Sequence, residues 1–86
     1  MYLHLGQGVV IPRKDIIGIF DIDECSRSVK TRNFLTAAEQ ENRMKIVGDD
    51  IPKSFTVVDE NGKSMIYLSQ ISAATLLRRS SLPMFE

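Results

Sequence analysis

Cysteine and histidine are nearly absent: Cys25 and His4 stand alone among 86 residues. A lone thiol forms no intrachain disulfide, and one cysteine and one histidine far apart in the chain do not make a structural zinc site. Excess charge of either sign is also missing, since 11 Lys and Arg balance 11 Asp and Glu. That excludes the strongly basic class of nucleic-acid binder, while leaving room for a local basic patch repeated around an oligomer. No apolar run approaches the roughly 18–20 residues of a membrane-spanning helix. The opening Met-Tyr-Leu-His-Leu-Gly has neither the charged start nor the long apolar core of a signal peptide, so a cytoplasmic location is expected. The remaining composition, 43% apolar and 26% charged, is that of a globular protein. Its length fits one domain, 1–86. Such a domain buries only about 60–65% of its unfolded surface. With neither disulfide nor metal, self-association is the expected supplement.

The clearest positive signal lies between Phe55 and Ser69. Two apolar runs flank Asn61-Gly62, the preferred pair for a two-residue type I′ turn, in which both residues need φ > 0. That turn fixes a register: Glu60 opposite Lys63, Val58 opposite Met65, Val57 opposite Ile66, Thr56 opposite Tyr67, Phe55 opposite Leu68. The period of two then gives one face to Phe55, Val57, Ile66 and Leu68 and the other to Thr56, Val58, Met65 and Tyr67. Both faces are apolar, so both need cover. The second is expected to be a subunit contact or the seat of a terminal helix.

Around this hairpin (strands 54–59 and 64–69) the chain predicts three short strands, 1–5, 9–12 and 16–22. The third reads as central and covered on both sides. Ile16, Phe20 and Ile22 are assigned to one face, Ile17 and Ile19 to the other, and Gly18 marks a bulge or close backbone approach. A helix over 27–43, capped by Ser26 or Ser28, carries a narrow apolar stripe of Phe34, Leu35 and Ala38. Glu39 and Arg43 are spaced for an i,i+4 pair. Met44–Val47 suggests a further short strand. A short helix over 72–80 has Ser72 as its N-cap and Ile71 and Leu76 at staple spacing. The tail beyond it holds Leu82, Met84 and Phe85, too apolar for a loose end. The sum is a small, mostly antiparallel α+β domain with one surface helix and a short C-terminal helix.

Catalytic chemistry finds little support. His4 has no evident nucleophile partner, and Cys25 follows Asp23 and Glu24, which disfavour a thiolate. Asp23-Glu24, Asp49-Asp50 and Asp59-Glu60 read as solvated loop charge. Gly6-Gln7-Gly8 is too short for a phosphate loop. No metal, cofactor or small-molecule substrate is expected, and no enzyme. The basic residues are more suggestive. Arg13-Lys14, Lys53 and Arg78-Arg79 each fall at a corner between elements, where adjacent cations suit phosphate contact without base reading.

Several blocks in this order resemble the extracellular matrix regulatory protein family. They are the opening Met-Tyr-Leu-His-Leu-Gly, the run Val9 to Asp21, the Pro52-Lys53-Ser54 step and the run Ile66 to Leu76. Within the family the chain looks like the B-type (RemB-like) branch rather than the A-type (RemA-like) branch. The resemblance covers nearly the whole chain and is weakest from Glu24 to Asp50. It implies a bacterial cytoplasmic protein tied to biofilm-matrix gene expression, with a fold related to LytTR-type DNA-binding domains. It also implies a homo-oligomer, since the A-type relatives are ring-like DNA-binding transcriptional regulators. The match departs from the A-type pattern at two places. Asp15 stands where those relatives place an arginine before the paired isoleucines. Asp50-Ile51-Pro52-Lys53-Ser54 replaces their arginine-rich step.

The expected function is an oligomeric, DNA-associated regulator of matrix genes. Arg13, Lys14 and Lys53 would contact phosphates, with Arg78 and Arg79 as weaker candidates, and Thr56, Val58, Met65 and Tyr67 would form the oligomer interface. The alternative is a protein–protein interaction module that modulates another regulator without touching DNA.

Overall fold

The computed structural model describes residues 2–25 and 27–81. Ser26 and the apolar tail residues Leu82, Met84 and Phe85 lie outside them. The hairpin forms from β5 (Ser54–Glu60) and β6 (Lys63–Ser69), in a register running from Glu60↔Lys63 to Ser54↔Ser69. Asn61 and Gly62 both take positive φ, 55° and 85°, as a type I′ turn requires. The Asp59 carboxylate accepts the Gly62 amide at 3.1 Å.

β5 and β6 occupy the middle of a four-stranded sheet. β3 (Ile16–Asp21) pairs antiparallel with β5 on one side, and β4 (Met44–Val47) pairs parallel with β6 on the other. β1 (Tyr2–Gly6) and β2 (Val9–Pro12) form a separate hairpin. The helices are a short α1 (Ile22–Cys25), α2 (Val29–Gln40) and α3 (Ala73–Ser81). The architecture is thus a small α+β fold whose pairings are antiparallel apart from β4–β6.

The two hairpin faces are covered by different elements. Leu3, Leu5 and Ile11 from the β1–β2 hairpin, Val47 from β4 and Leu76 from α3 close over Val58 and Tyr67. On the opposite face, Ala38 of α2 packs on Phe55, Val57 and Ile66, with Ile22, Leu35, Met44 and Leu68 around them. α2 contributes a single fully buried residue, Ala38, so this second cover is thin.

The structure corrects several sequence expectations. β3 is an edge strand, not a central one. Its register slips at Ile17, because Ile16 pairs with Val58 while Gly18 pairs with Val57. The extra residue reverses the expected sorting: Ile16 and Ile19 join the Val58–Tyr67 core, whereas Ile17 and Phe20 stay exposed on the other side. A Cβ at Gly18 would sit 2.6 Å from the Phe20 ring, so a larger residue there must displace that ring. That ring stacks on Phe55 at 5.1 Å.

Ser28 is the observed cap of α2, its hydroxyl accepting from the Thr31 amide at 3.4 Å. The helix ends at Gln40 rather than 43 because Asn42 turns left-handed, φ 59°. Arg43, released from the helix, pairs with Glu41 at 2.8 Å instead of Glu39 and donates to the Ser64 carbonyl at 2.8 Å. At the other helix, the Ser72 hydroxyl accepts the Thr75 amide at 3.2 Å, and Leu76 is fully buried.

Truncating Leu76 tests how far α3 belongs to the core. Leu76→Ala should cost about 2–5 kcal/mol in denaturant unfolding, whereas Ile46→Ala, at an exposed position of β4, should stay within about 0.5 kcal/mol. A Leu76→Ala cost no larger than that of Ile46→Ala would show that α3 does not seal this face.

Candidate functional site

The basic corners come from chain breaks that the fold requires. Pro12 ends β2, and Arg13–Asp15 make one 3-10 turn before β3 begins. The β1–β2 register sets Tyr2 opposite Pro12. Tyr2, Pro12, Arg13 and Lys14 consequently line one open groove of about 400 Å³. Lys14 and the Tyr2 ring are exposed and Arg13 is half-buried. The Arg13 Nε is buried without a hydrogen-bond partner among the described residues. The Tyr2 contribution was legible in principle, because Leu3 and Leu5 turn inward and leave Tyr2 outside. The sequence expectation did not include it.

Lys53 lies elsewhere. Its amide donates to the Ser69 carbonyl at 2.8 Å, and its carbonyl accepts from the Ile22 amide at 3.1 Å. These bonds fix the backbone at the entry of β5 while the side chain stays exposed. Arg13 and Lys14 precede Ile16, which pairs with Val58 near the other end of β5. Lys53 and Val58 are separated by roughly 17 Å of strand. Within one subunit, then, Arg13–Lys14 and Lys53 form two corners, not one patch. Arg78 and Arg79 occupy the last turn of α3 and are exposed, complementing the helix dipole there. Among the described residues the ion pair is Arg43–Glu41, so none of these five cations is held by a described carboxylate.

The residues expected to form a subunit contact are placed differently. Thr56, Val58 and Tyr67 are buried, Met65 is half-buried, and α3 and the β1–β2 hairpin pack over this face. This face is filled from within the chain, as the seat of the terminal helix, and offers no open surface to a second copy. Tyr67 also carries a polar link. Its hydroxyl donates to the Glu60 carboxylate, and Lys45 Nζ stands 5.7 Å from its ring centroid. Burial first, and then the hydrogen bond and negative charge of Glu60, push the phenol up from 10.0 to about 12.

The acidic pairs do not converge: among the described residues no group of three or more His, Cys, Asp or Glu is placed to hold a metal. His4 is exposed on β1. No helix among the described residues is long and apolar enough to cross a membrane.

The sequence model of the RemA-like family, described as extracellular matrix regulatory protein A-like, matches residues 2–79. The chain belongs to this family. It is also 36% identical to extracellular matrix regulatory protein B of Bacillus subtilis (strain 168), over all of this chain and 96% of the relative. The family's name points to regulation of the extracellular matrix.

The buried phenol gives a measurable signature. Between pH 10 and 12 the folded chain keeps a proton on Tyr67 that the unfolded chain releases, so stability falls as pH rises through this window and is intact below it. Ultraviolet titration should show a phenol ionising near pH 12, and Tyr67→Phe should remove that transition together with part of the alkaline loss of stability. If the phenol lost in Tyr67→Phe is one that ionises near pH 10, the buried link to Glu60 is not formed in solution.

Proposed function

We propose that this RemA-like protein is an oligomeric, DNA-associated transcriptional regulator of biofilm-matrix genes, acting in the cytoplasm and binding phosphates through its basic corners. The observation that carries this reading is the groove of Tyr2, Pro12, Arg13 and Lys14, in which two cations lack a described carboxylate partner. The Arg13 guanidinium fork suits a phosphate oxygen, and the exposed Tyr2 ring offers a flat surface beside it. Lys53 is the second contact. Because it lies at the far end of β5, Lys53 and the Arg13–Lys14 groove meet different phosphates. With a net charge of zero, affinity from one subunit is weak. Repetition around a homo-oligomer, ring-like as in the A-type relatives, raises it by multivalency. Arg78 and Arg79 extend the same surface if α3 faces the duplex.

A second reading, a module that modulates another regulator without binding DNA, is favoured by Asp15. This carboxylate follows Lys14 directly and weakens the local positive field.

Electrophoretic shift titration at low salt decides between them. The unmodified chain should retard duplex DNA at micromolar concentration, with affinity falling steeply as salt rises. Arg13→Ala with Lys14→Ala should reduce the slope of log affinity against log salt by about 1 for every phosphate left without its cation. An absent shift, or one indifferent to the double substitution, overturns the DNA reading and leaves the interaction module.

A further inference from the structure

The β1–β2 hairpin turns one face to the core and the other to solvent. Leu3, Leu5 and Ile11 are buried, so the period of two sends Tyr2, His4 and Val10 outward. Tyr2 is 67% exposed and Val10 43%, and His4 is exposed between them. The register sets Pro12 opposite Tyr2 and Val10 opposite His4. Two rings therefore stand on one strand face about 7 Å apart. The Arg13–Lys14 turn follows directly after Pro12. No carboxylate belongs to these outward residues, so nothing on the face itself repels a phosphate. Neither ring is taken up by the fold. Among the described residues the stacked ring pair is Phe20–Phe55, and the ammonium–ring contact is that of Lys45 with Tyr67.

We infer that the outer face of this hairpin binds an unpaired stretch of DNA, with one base on the Tyr2 ring, the next on His4, and the phosphate beside the first held by Arg13 and Lys14. Contact with the phosphates of a duplex uses cations and leaves exposed rings without a partner. In a duplex each base is stacked on its neighbours, whereas an unpaired strand presents the faces of its bases. Rings two residues apart on an exposed strand, with cations at one end, combine the two parts of single-strand binding: aromatic side chains stack successive bases, and positive charge follows the backbone. Tyr2, Pro12, Arg13 and Lys14 line a groove of about 400 Å³. That lies within the roughly 300–1,000 Å³ of small-molecule sites, which gives a base room beside its phosphate. Val10 and Pro12 flank the rings with apolar surface from the paired strand. Stacking reads no hydrogen-bond pattern, so the preference is for unpaired bases and not for a sequence.

This inference deepens the DNA reading above and rests on it, since the same two cations hold the phosphate. Fluorescence anisotropy at low salt tests it on the full-length chain with three labelled DNAs. They are an unpaired strand, a strand of the same length made of abasic sites, and a duplex. The abasic strand keeps the phosphates and lacks only the bases. The base-bearing strand should bind about tenfold more tightly than the abasic one. Tyr2→Ala with His4→Ala should bring its affinity down to that of the abasic strand, while Tyr2→Phe with His4→Phe should keep the advantage, because stacking needs the ring and not its polar atom. Equal binding of the two strands by the unmodified chain overturns the stacking inference, as does an advantage that survives the double alanine substitution. Either result, with the duplex still bound, leaves the phosphate reading standing. Failure to bind any of the three DNAs overturns both. Far-UV circular dichroism matching the unmodified chain shows that the variants remain folded, and the comparison of the two strands on the unmodified chain decides the question without them.

Discussion

A hairpin with two apolar faces cannot stand at a protein surface, and the rest of this chain is disposed to meet that constraint. The β5–β6 ladder must be sealed twice by fewer than 90 residues. Its open end is fastened by two serines that face each other across the strands, Ser54 and Ser69, both completely buried. The Ser54 hydroxyl donates to the Ile71 carbonyl at 2.7 Å, which fixes the approach to α3. The Ser69 hydroxyl donates to the Leu5 carbonyl at 2.8 Å and accepts the Ile71 amide at 3.1 Å, which ties in β1. A buried hydroxyl left unpaired costs about 1–3 kcal/mol. Each bond therefore resists separation of the hairpin from the element above it.

The two seals are unequal. β1, β2 and α3 bring Leu3, Leu5, Ile11 and Leu76 to one face and close it. α2 brings one fully buried residue to the other, because its remaining positions are mostly polar or exposed. The bulge at Ile17 completes the first seal at the expense of the second. By inserting one residue it lets Ile16 and Ile19 both turn toward the closed core and sends Ile17 and Phe20 to the open side. An apolar hollow beside α2, lined by Ile17, Phe20 and Phe34, is thus the counterpart of the well-packed face opposite.

Much of this was legible in the sequence where local chemistry is decisive. Asn61-Gly62 set the turn, the turn set the register, and the register sorted both faces correctly. Ser72 was readable as a cap, and Ser28 as one of two candidates with Ser26, because a hydroxyl before a helical stretch has few other uses. What covered each face was not readable, since that depends on contacts between distant segments. Thr56, Val58, Met65 and Tyr67 were correctly grouped, yet their partners are β1, β2 and α3 rather than another subunit. The parallel pairing of β4 with β6 and the edge position of β3 are likewise tertiary facts. Arg43 missed Glu39 because a left-handed Asn42 ended the helix first. Among the candidate site residues, sequence adjacency found the Arg13–Lys14 corner but could not give its distance from Lys53 or the place of Tyr2 beside it.

The spacing of these corners bears on how such a protein would work. A net charge of zero and cations at separate corners give one subunit little long-range attraction for a polyanion, since exposed charges are screened beyond roughly 8–10 Å. The roughly 17 Å of strand between Lys53 and Val58 exceeds that length. The two corners therefore act independently within one subunit, and under the proposed reading only a repeated array in an assembly would make them cooperative. Under the proposed reading, an incompletely sealed second hairpin face would give the chain a physical reason to assemble, and individually weak basic corners a functional one. In this reading the thin cover supplied by α2 and the dispersed charge are complementary, because burying the first in a subunit contact is what would multiply the second.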